Sequence, residues 1–250
     1  ENFSVDNAYC PNCHKKLIYS YYHYGHIGSY YCPNCDFKRG NPNFTAKNVN
    51  LKNGTCEINQ HSIHLNQRFL FTVYATTASY ALCKTIGLSE KKILNTFNSG
   101  VIPMKRGKEL FLKDRPVMML ESKNENALSY YQSLKYIANA DGEKTVILGF
   151  DNVSRRYKYN DLSWLWDVEF ELLNDESITH VVLIGRFKWD VRVRLKYARV
   201  PDKKIVMLDN MADFVKTILE ETKGDIYTMV CFDMTAILLN KIKEYQDGNN

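Results

Sequence analysis

The first residues that could do chemistry are four cysteines in two Cys-Pro-Asn-Cys pairs, at Cys10, Cys13, Cys32 and Cys35. Two cysteines separated by two residues can bind one ion from a tight turn, and two such pairs supply the four thiolates that tetrahedral Zn²⁺ accepts. Eighteen residues separate the pairs, which is typical of a zinc ribbon. These intervening residues are rich in Tyr and Ile, so they predict a short β-hairpin. The spacing therefore predicts a structural zinc site.

Three other interpretations of the cysteine pairs are a disulfide, a redox pair and an iron–sulfur cluster. A redox Cys-x-x-Cys normally opens a helix after a strand, whereas these pairs lie in Pro-Asn turns beside expected strands. The spacing favours zinc over all three. His14, His23 and His26 lie nearby, but four thiolates already complete the shell. We therefore interpret these histidines as solvent-facing loop residues.

The second candidate is the polar loop DNVSRRYKYNDLSWLWDVEFELL, which follows the apolar run TVILGF. In open α/β sheets, ligands bind at the carboxyl ends of the strands, and this loop leaves such an end. Asp161 stands within it in a D-x-S-W sequence, and Asp167 is expected to cap a helix that carries Glu169 and Glu171. This loop is therefore where the second half of the chain could do chemistry.

A purely structural interpretation of the same loop is also available. Asp161 could close an Asx turn with its own backbone, and Trp164 and Trp166 could pack in the core. For an isolated loop the residues alone favour this interpretation over a functional one. Both interpretations stay open at this point.

The elements of the first part are strands followed by helices. Residues 44–65 are rich in strand formers, and Asn53-Gly54 within them is a signal for a type I′ hairpin turn. From Asn66 to Ile86, apolar residues recur at helical spacing. Gly87 is expected to end this helix, because a left-handed residue is needed there.

The second part begins after a border rich in Gly, Pro and basic residues. Ser89 is expected to cap a last short helix, SEKKILNTF, before the border stretch NSGVIPMKRGKE. Beyond it, the apolar runs PVMML, TVILGF, HVVLIG, KIVMLD and YTMVCF alternate with helical segments near 125–138, 187–198, 211–222 and 234–245. This pattern predicts a doubly wound, largely parallel α/β domain. The expected domains are 1–101, with a ribbon at 9–40, and 102–250.

Charge and hydropathy exclude several classes of protein. The chain has 250 residues and a net charge of +5 that is spread along it, so a nucleic-acid partner is not expected. The basic clusters Arg155-Arg156 and Arg192 to Lys196 are interpreted as solvent-exposed faces. No apolar run is long enough to span a membrane, and no signal peptide opens the sequence.

The other cysteines indicate a cellular compartment, and the absent motifs exclude several kinds of active site from this sequence. Cys56, Cys83 and Cys231 are singletons among apolar or strand-forming neighbours, as buried free thiols are, which favours a reducing cytosol. The sequence contains no GxxxxGK[ST] loop, no GxGxxG, no GxSxG elbow and no HExxH helix. Any nucleotide site must therefore come mostly from residues outside this sequence.

The motifs together resemble the MurT family, the Mur-ligase-like subunits of glutamine-hydrolysing lipid II isoglutaminyl synthases. The resemblance rests on the ribbon YCPNCHKKLIYSYYHYGHIGSYYCPNCDFKRG, on TIGLSEKKI and on DLSWLWDVEFELL. It continues through RVRLKYA to MTAILLNKIKEY, so it covers essentially the whole chain.

The resemblance implies a function and a set of partners. The family amidates the D-glutamate of the lipid II stem peptide, using ATP, Mg²⁺ and ammonia from the glutaminase GatD in the cytoplasm. Its full chain begins with a P-loop segment, and this sequence would start after that segment. Residues 1–101 would then be the rear part of the Mur central domain with a zinc insertion, and 102–250 the C-terminal Mur domain. By motif match, Asp161 is the aspartate that orients the GatD histidine.

Two alternatives to this function come from other classes of protein. Two Mur motifs have changed here: the family's Asn-bearing helix start is RFLFTVYATTA, and its NPAG-like turn is KNENA. These changes favour a non-catalytic scaffold whose ribbon and α/β domain bind a partner protein. A nucleic-acid-binding ribbon is disfavoured, because the basic charge is scattered.

Overall fold

The chain divides into two compact units. The computed structural model describes residues 8–24, 27–100, 108–120, 126–151 and 161–248. The first unit comprises the residues up to Leu65 together with Phe71–Gly100, and the second comprises Asn66–Leu70 with the residues from Val101 onward.

The first unit contains two small antiparallel sheets. A two-stranded hairpin links the cysteine pairs, as their Tyr- and Ile-rich spacer predicts, and a three-stranded meander follows it. The strands are β1 (Ile18–Tyr24), β2 (Ile27–Tyr31), β3 (Ala46–Asn50), β4 (Thr55–Ile58) and β5 (His61–His64).

The tight turn of the meander lies one connection later than the sequence predicts. Asn53-Gly54 belongs to a four-residue loop between β3 and β4, and only Gly54 has a positive φ there. The two-residue turn is Asn59-Gln60, between β4 and β5, where φ is +47° and +73°. Both residues of a type I′ turn need positive φ, and Asn tolerates it well. The prediction of a type I′ turn at Asn53-Gly54 is therefore wrong.

Helix α1 (Leu70–Thr85) ends as the sequence predicts. Gly87 has a φ of +85°, and its N–H donates to the Lys84 carbonyl at 3.1 Å. The Leu88 N–H donates to the Cys83 carbonyl at 3.0 Å. These two bonds form a Schellman motif, which satisfies carbonyl groups that the helix leaves open. The helix begins four residues later than predicted.

Helix α2 (Glu90–Asn98) begins after Ser89, but the serine side chain makes no capping hydrogen bond. The prediction of a capping hydroxyl is therefore wrong. Ser89 instead starts the helix through its backbone, because its carbonyl accepts the Ile93 N–H at 3.2 Å. The first acid of α2, Glu90, accepts a hydrogen bond from the Tyr80 hydroxyl at 2.6 Å.

The second unit is built on a six-stranded sheet with the order β10-β9-β8-β11-β7-β6. Every neighbouring pair is parallel except β6 with β7, so the predicted doubly wound, largely parallel α/β fold is confirmed. The strands are β6 (Lys108–Leu112), β7 (Arg115–Met119), β8 (Lys144–Gly149), β9 (Ile178–Ile184), β10 (Ile205–Met207) and β11 (Asp225–Val230).

Within the described residues of the second unit, three α-helices connect strands of this sheet and a fourth follows β11. They are α3 (Ala127–Asn139), α4 (Lys188–Tyr197), α5 (Phe214–Glu221) and α6 (Phe232–Gly248). All residues of β8 are buried, as expected of a central strand with helices on both faces. The chain reverses its direction of winding between β8 and β11. The carboxyl ends of these two strands therefore form the topological switch point of the sheet.

The segment after Asp161 differs from the prediction. In place of an α-helix capped by Asp167, two 3₁₀-helices occupy Ser163–Asp167 and Phe170–Asn174. The backbone at Val168 between them is extended, with φ of −85° and ψ of 130°. The Leu165 and Val168 carbonyl groups accept hydrogen bonds from the Arg194 side chain. These hydrogen bonds from a side chain stand where a continuous α-helix would have backbone hydrogen bonds.

Candidate functional site

The four paired cysteines come together in the first unit. The sulfurs of Cys10 and Cys35 lie 3.5 Å apart, and those of Cys13 and Cys32 lie 3.4 Å apart. All four sulfurs lie within 4.8 Å of one another. A tetrahedral ion with bonds of about 2.3 Å holds its sulfurs about 3.8 Å apart. The thiols are therefore close to the separation that Zn²⁺ requires, and this donor set fits the metal.

The two cysteine pairs have matching backbone geometry. The Asn12 N–H donates to the Cys10 sulfur, and the Asn34 N–H donates to the Cys32 sulfur, each at 3.4 Å. Backbone N–H groups aimed at sulfur favour the thiolate over the thiol. Each Pro-Asn turn therefore prepares its first cysteine to act as an anionic ligand.

The pKa values of Cys13 and Cys35 shift in opposite directions. The pKa of Cys13 falls to about 6, mainly because a backbone hydrogen bond involving Lys15 favours its thiolate. At Cys35 the backbone hydrogen bond of Phe37 acts in the same direction, but burial and the adjacent thiols raise the pKa to about 12. Thiolates this close repel one another, so a bound cation is what allows all four to ionise together.

Neither His14 nor His23 joins this group. The cluster that could hold a metal consists of the four cysteines among the described residues. His14 is exposed, as predicted. His23 is half-buried and hydrogen-bonds through Nδ1 to the Tyr74 hydroxyl, so its interpretation as a solvent-facing residue is wrong. Burial, and then the charge of Arg39, lower the pKa of His23. His26 lies outside the described residues.

Asp161 lies at the start of the turn that leads into the first 3₁₀-helix. Its side chain is exposed, and its Oδ1 accepts the Ser163 N–H at 2.8 Å. This is the Asx turn of the structural interpretation. The hydrogen bonds from the Ser163 backbone, and then from its side chain, lower the pKa of Asp161. The carboxylate is therefore both fixed in position and accessible from solvent. Arg155 and Arg156 lie outside the described residues.

The two tryptophans of this turn have different environments. Trp164 is half-buried, with ring centroids 5.0 Å from Tyr130 and 5.9 Å from Phe150. Trp166 is 52% exposed and meets the Tyr197 ring edge-on at 5.2 Å. The core-packing interpretation is therefore right for Trp164 and wrong for Trp166.

Arg194 holds the Asp161 turn from helix α4. It is 6% exposed, its Nε donates to the Leu165 carbonyl at 3.1 Å, and its Nη2 donates to the Val168 carbonyl at 2.7 Å. The guanidinium also forms an ion pair with Glu171 at 3.2 Å. The interpretation of the Arg192 to Lys196 cluster as a solvent-exposed face is therefore wrong for its central arginine.

The turn lies beside the carboxyl edge of the sheet. Phe150, which contacts Trp164, directly follows β8. The Asp151 N–H donates to the Cys231 sulfur at 3.4 Å, so the ends of β8 and β11 meet at the switch point. Ligand and catalytic groups of open α/β sheets are usually found at this place.

Comparison with known proteins agrees with this architecture. Residues 123–236 match the family described as MurT ligase C-terminal. This part of the chain is therefore similar to the C-terminal domain of MurT ligases. The chain as a whole is 27% identical over 245 residues to the MurT subunit of the glutamine-hydrolyzing lipid II isoglutaminyl synthase of Staphylococcus aureus (strain COL). It is 22% identical over 240 residues to the corresponding subunit of Streptococcus pneumoniae (strain ATCC BAA-255 / R6).

These alignments cover nearly all of this chain but only part of its relatives. They include 97% and 95% of this chain, and 54% and 52% of the two relatives. The chain therefore spans about half the length of the curated relatives it matches.

Solved structures of Mur ligases share the fold of this chain. A pseudomurein peptide ligase type C from Methanothermus fervidus matches 96% of this chain and 49% of its own, with a TM-score of 0.67 at 16% identity. A MurF crystal structure from Acinetobacter baumannii matches 80% of this chain and 45% of its own, with a TM-score of 0.56 at 15% identity. The resemblance inferred from the sequence is confirmed. Within the described residues, no helix has the length and apolarity needed to cross a membrane.

Proposed function

We propose that this chain supplies the ribbon and C-terminal domain of a MurT-type subunit in an ATP-dependent, glutamine-hydrolysing amide ligase. The amide acceptor is the D-glutamate of lipid II or of a related muropeptide. Residues 1–101 correspond to the rear part of a Mur central domain, and 102–250 to the C-terminal Mur domain. Alignment with two MurT subunits over at least 95% of the chain supports this assignment.

The single observation that carries the proposal is the exposed Asp161 carboxylate on a rigid turn. The Ser163 N–H fixes Oδ1, and Arg194 holds the carbonyl groups that follow. In our proposal, Asp161 accepts the imidazole N–H of a histidine in a GatD-like glutaminase. A carboxylate in that position selects the histidine tautomer and stabilises the imidazolium that forms as a cysteine thiolate is generated. The nucleophilic cysteine belongs to the glutaminase.

An aromatic surface beside this turn supports a protein partner. Trp189, Val193 and Tyr197 are spaced by four residues along α4, and Trp166 packs against the last of them. These four side chains are between 51% and 69% exposed. Trp189, Val193 and Tyr197 lie on the side of α4 opposite its buried face. Charged residues are normally found on such an exposed side. Trp and Tyr are enriched at the centres of protein interfaces. We call these four residues the α4 surface and assign it to the glutaminase.

Zn²⁺ and ATP have different roles and different binding sites in this proposal. Zn²⁺ at Cys10, Cys13, Cys32 and Cys35 would be structural, because four thiolates leave no open coordination position. ATP and Mg²⁺ would bind mostly through residues that this sequence does not contain, since it carries no GxxxxGK[ST] loop. The chemical role that we propose for this chain is therefore to position a histidine of the glutaminase. Phosphoryl transfer is not part of that role.

Reconstitution with a glutaminase tests the proposal. The chain and a GatD-like glutaminase are purified separately and mixed, and glutamate release from glutamine is measured with and without the chain. We expect hydrolysis to require the mixture. A complex that forms but hydrolyses glutamine no faster than the glutaminase alone would contradict the proposal. It would leave the chain as a non-catalytic scaffold.

A further inference from the structure

The zinc-ribbon hairpin has an outer face that its own fold leaves uncovered. Tyr9, Ile18 and Tyr31 are between 43% and 56% exposed, and Lys16 and Lys38 are exposed beside them. We call these five residues the outer ribbon face. A surface of this kind, with apolar and aromatic side chains next to basic ones, needs an explanation in a domain this small.

Strand register places these five residues on one side of the hairpin. Tyr9 pairs with Lys16 across an antiparallel bridge, Ile18 pairs with Tyr31 across β1 and β2, and Tyr31 pairs with Lys38 across a second bridge. Side chains directly opposite each other share a face, and so do residues two apart in one strand. The five side chains therefore form a continuous row.

The opposite side of the hairpin faces the four cysteines. Leu17, Tyr19, Tyr30 and Phe37 pack with the cysteine cluster there. The ribbon thus has an inner side that encloses the four sulfurs. The outer ribbon face makes no contribution to that core, so its apolar residues are not explained by metal binding.

The charge of the ribbon indicates an anionic partner. Between residues 8 and 40 the sequence contains four basic residues, Lys15, Lys16, Lys38 and Arg39, and one acid, Asp36. A Zn²⁺ ion bound by four thiolates carries a net charge of about −2, so the ribbon as a whole stays slightly positive, and Lys16 and Lys38 place positive charge on the outer ribbon face. Tyr side chains favour the boundary between water and hydrocarbon, and lysines beside them attract anionic lipid headgroups. An exposed aliphatic side chain such as Ile18 suits a hydrocarbon boundary better than it suits stacked bases, which prefer aromatic platforms.

We propose that the outer ribbon face binds the surface of an anionic phospholipid bilayer. The inference rests on the proposed function in one respect, because a lipid-linked acceptor is presented at such a surface. The tyrosines and Ile18 would enter the headgroup region, and Lys16 and Lys38 would contact lipid phosphates. The contact is small, so the binding is weak and reversible, and salt reduces it.

Vesicle co-sedimentation of the full chain tests this inference. The probes are vesicles of phosphatidylglycerol and phosphatidylcholine in equal parts, and vesicles of phosphatidylcholine alone. We expect binding to the anionic vesicles only, with a partition coefficient at least about tenfold lower for the Lys16→Glu/Lys38→Glu variant. Ile18→Ser is expected to weaken binding about threefold or more. Zinc content and circular dichroism establish that each variant keeps its fold.

Matched variants elsewhere on the surface serve as controls. Lys203→Glu/Lys216→Glu makes the same change of charge on exposed lysines of the second unit, and Ile86→Ser removes an exposed aliphatic side chain directly after α1. Both are expected to bind vesicles nearly as the unchanged chain does. Equal losses in the control and ribbon variants would overturn the proposal, because binding would then follow net charge alone.

Two further outcomes would also overturn the inference. One is binding that is the same for anionic and neutral vesicles. The other is displacement of the vesicles by single-stranded DNA that binds the ribbon more tightly, which would make the face a nucleic-acid surface. The assay needs neither glutamine nor a glutaminase. Its failure therefore leaves the amidation proposal intact, and failed reconstitution of glutamine hydrolysis leaves vesicle binding intact.

Discussion

Arg194 donates its Nε hydrogen to the Leu165 carbonyl at 3.1 Å and so joins helix α4 to the turn that follows Asp161. The same guanidinium reaches the Val168 carbonyl at 2.7 Å, and it is almost fully buried. The segment that follows Asp161, from Leu165 to Val168, therefore depends on a side chain of α4.

Replacing this arginine tests that dependence. Arg194→Ala removes the side-chain hydrogen bonds to the Leu165 and Val168 carbonyl groups and the ion pair with Glu171, so we expect a loss of about 2–4 kcal/mol in the free energy of unfolding. Arg194→Lys is expected to rescue little, because an ammonium group cannot reproduce the planar set of donors. Urea denaturation measures both variants.

The control for this prediction is Arg192→Ala on the same helix. Arg192 is 41% exposed in its side chain and lies 3.6 Å from Asp202, so its removal should change stability by no more than about 0.5 kcal/mol. Equal losses in the Arg194 and Arg192 variants would show that the buried hydrogen bonds contribute nothing specific.

Metal binding by the four cysteines is the second prediction. Elemental analysis of the purified chain should find about one Zn²⁺ per molecule, and a chelator should unfold the ribbon while the second unit stays folded. Cys32→Ser should abolish the bound metal. Cys83→Ser, a change at a half-buried cysteine outside the cluster, should retain it. Full metal content in Cys32→Ser would contradict the assignment.

The sheet of the second unit was predictable because its strands are continuously apolar. A continuously apolar run such as TVILGF is typical of a strand in a sheet that is covered on both faces. The helices between such runs indicate that the strands are parallel. Gly87 ended its helix as expected because a Schellman motif needs a residue that tolerates positive φ. The tight turn at Asn59-Gln60 was not predicted, because these two residues do not form the Asn-Gly pair that signals such a turn. Only their backbone conformation identifies it.

The site was only partly predictable, since its support comes from long-range contacts. Cysteine spacing alone identified the four cysteines that the fold brings close enough together to hold a metal ion. Arg194 was interpreted as solvated because it lies in a basic cluster. One signal was available: it falls on the buried side of α4, beside Val191 and Leu195. The pairing of His23 with Tyr74 carries no local signal, because 51 residues separate the two side chains.

Acid pH should weaken the contact between α1 and α2. Hydrogen bonds from Tyr80, and then from Lys84, lower the pKa of Glu90 below its ordinary value of 4.5. A carboxyl whose folded pKa is depressed stabilises the fold above its unfolded pKa, and this contribution disappears as pH falls through the folded pKa. We therefore expect Glu90→Gln to lower the free energy of unfolding at pH 7, and only modestly, because the side chain is 38% exposed and solvent screens its interactions.

The difference between Glu90→Gln and the unchanged chain isolates this group from other acid-sensitive groups, including the cysteines. Urea denaturation from pH 7 to pH 3 should show the difference shrinking below about pH 4.5. A difference that stays constant with pH would mean that the charge of Glu90 has no part in it.

The α4 surface should contribute strongly to binding of the glutaminase. Trp189→Ala/Tyr197→Ala removes two exposed aromatic anchors and should raise the Kd for the glutaminase about 10- to 100-fold, with little change in stability. Leu82→Ala removes an exposed apolar residue of α1 and serves as the control. Titration calorimetry measures both. An unchanged Kd for the double variant would place the partner on another surface.

Glutamine hydrolysis by the complex with Asp161→Asn tests the central claim most directly. Asparagine keeps an oxygen that can accept the Ser163 N–H, so the Asx turn and the complex should survive while the negative charge is lost. We predict a fall in kcat of about 10³-fold or more, because the partner histidine loses the carboxylate that selects its tautomer. Asp161→Ala removes both functions and should also destabilise the turn. Unchanged hydrolysis with Asp161→Asn would contradict the account and reduce Asp161 to an Asx-turn residue.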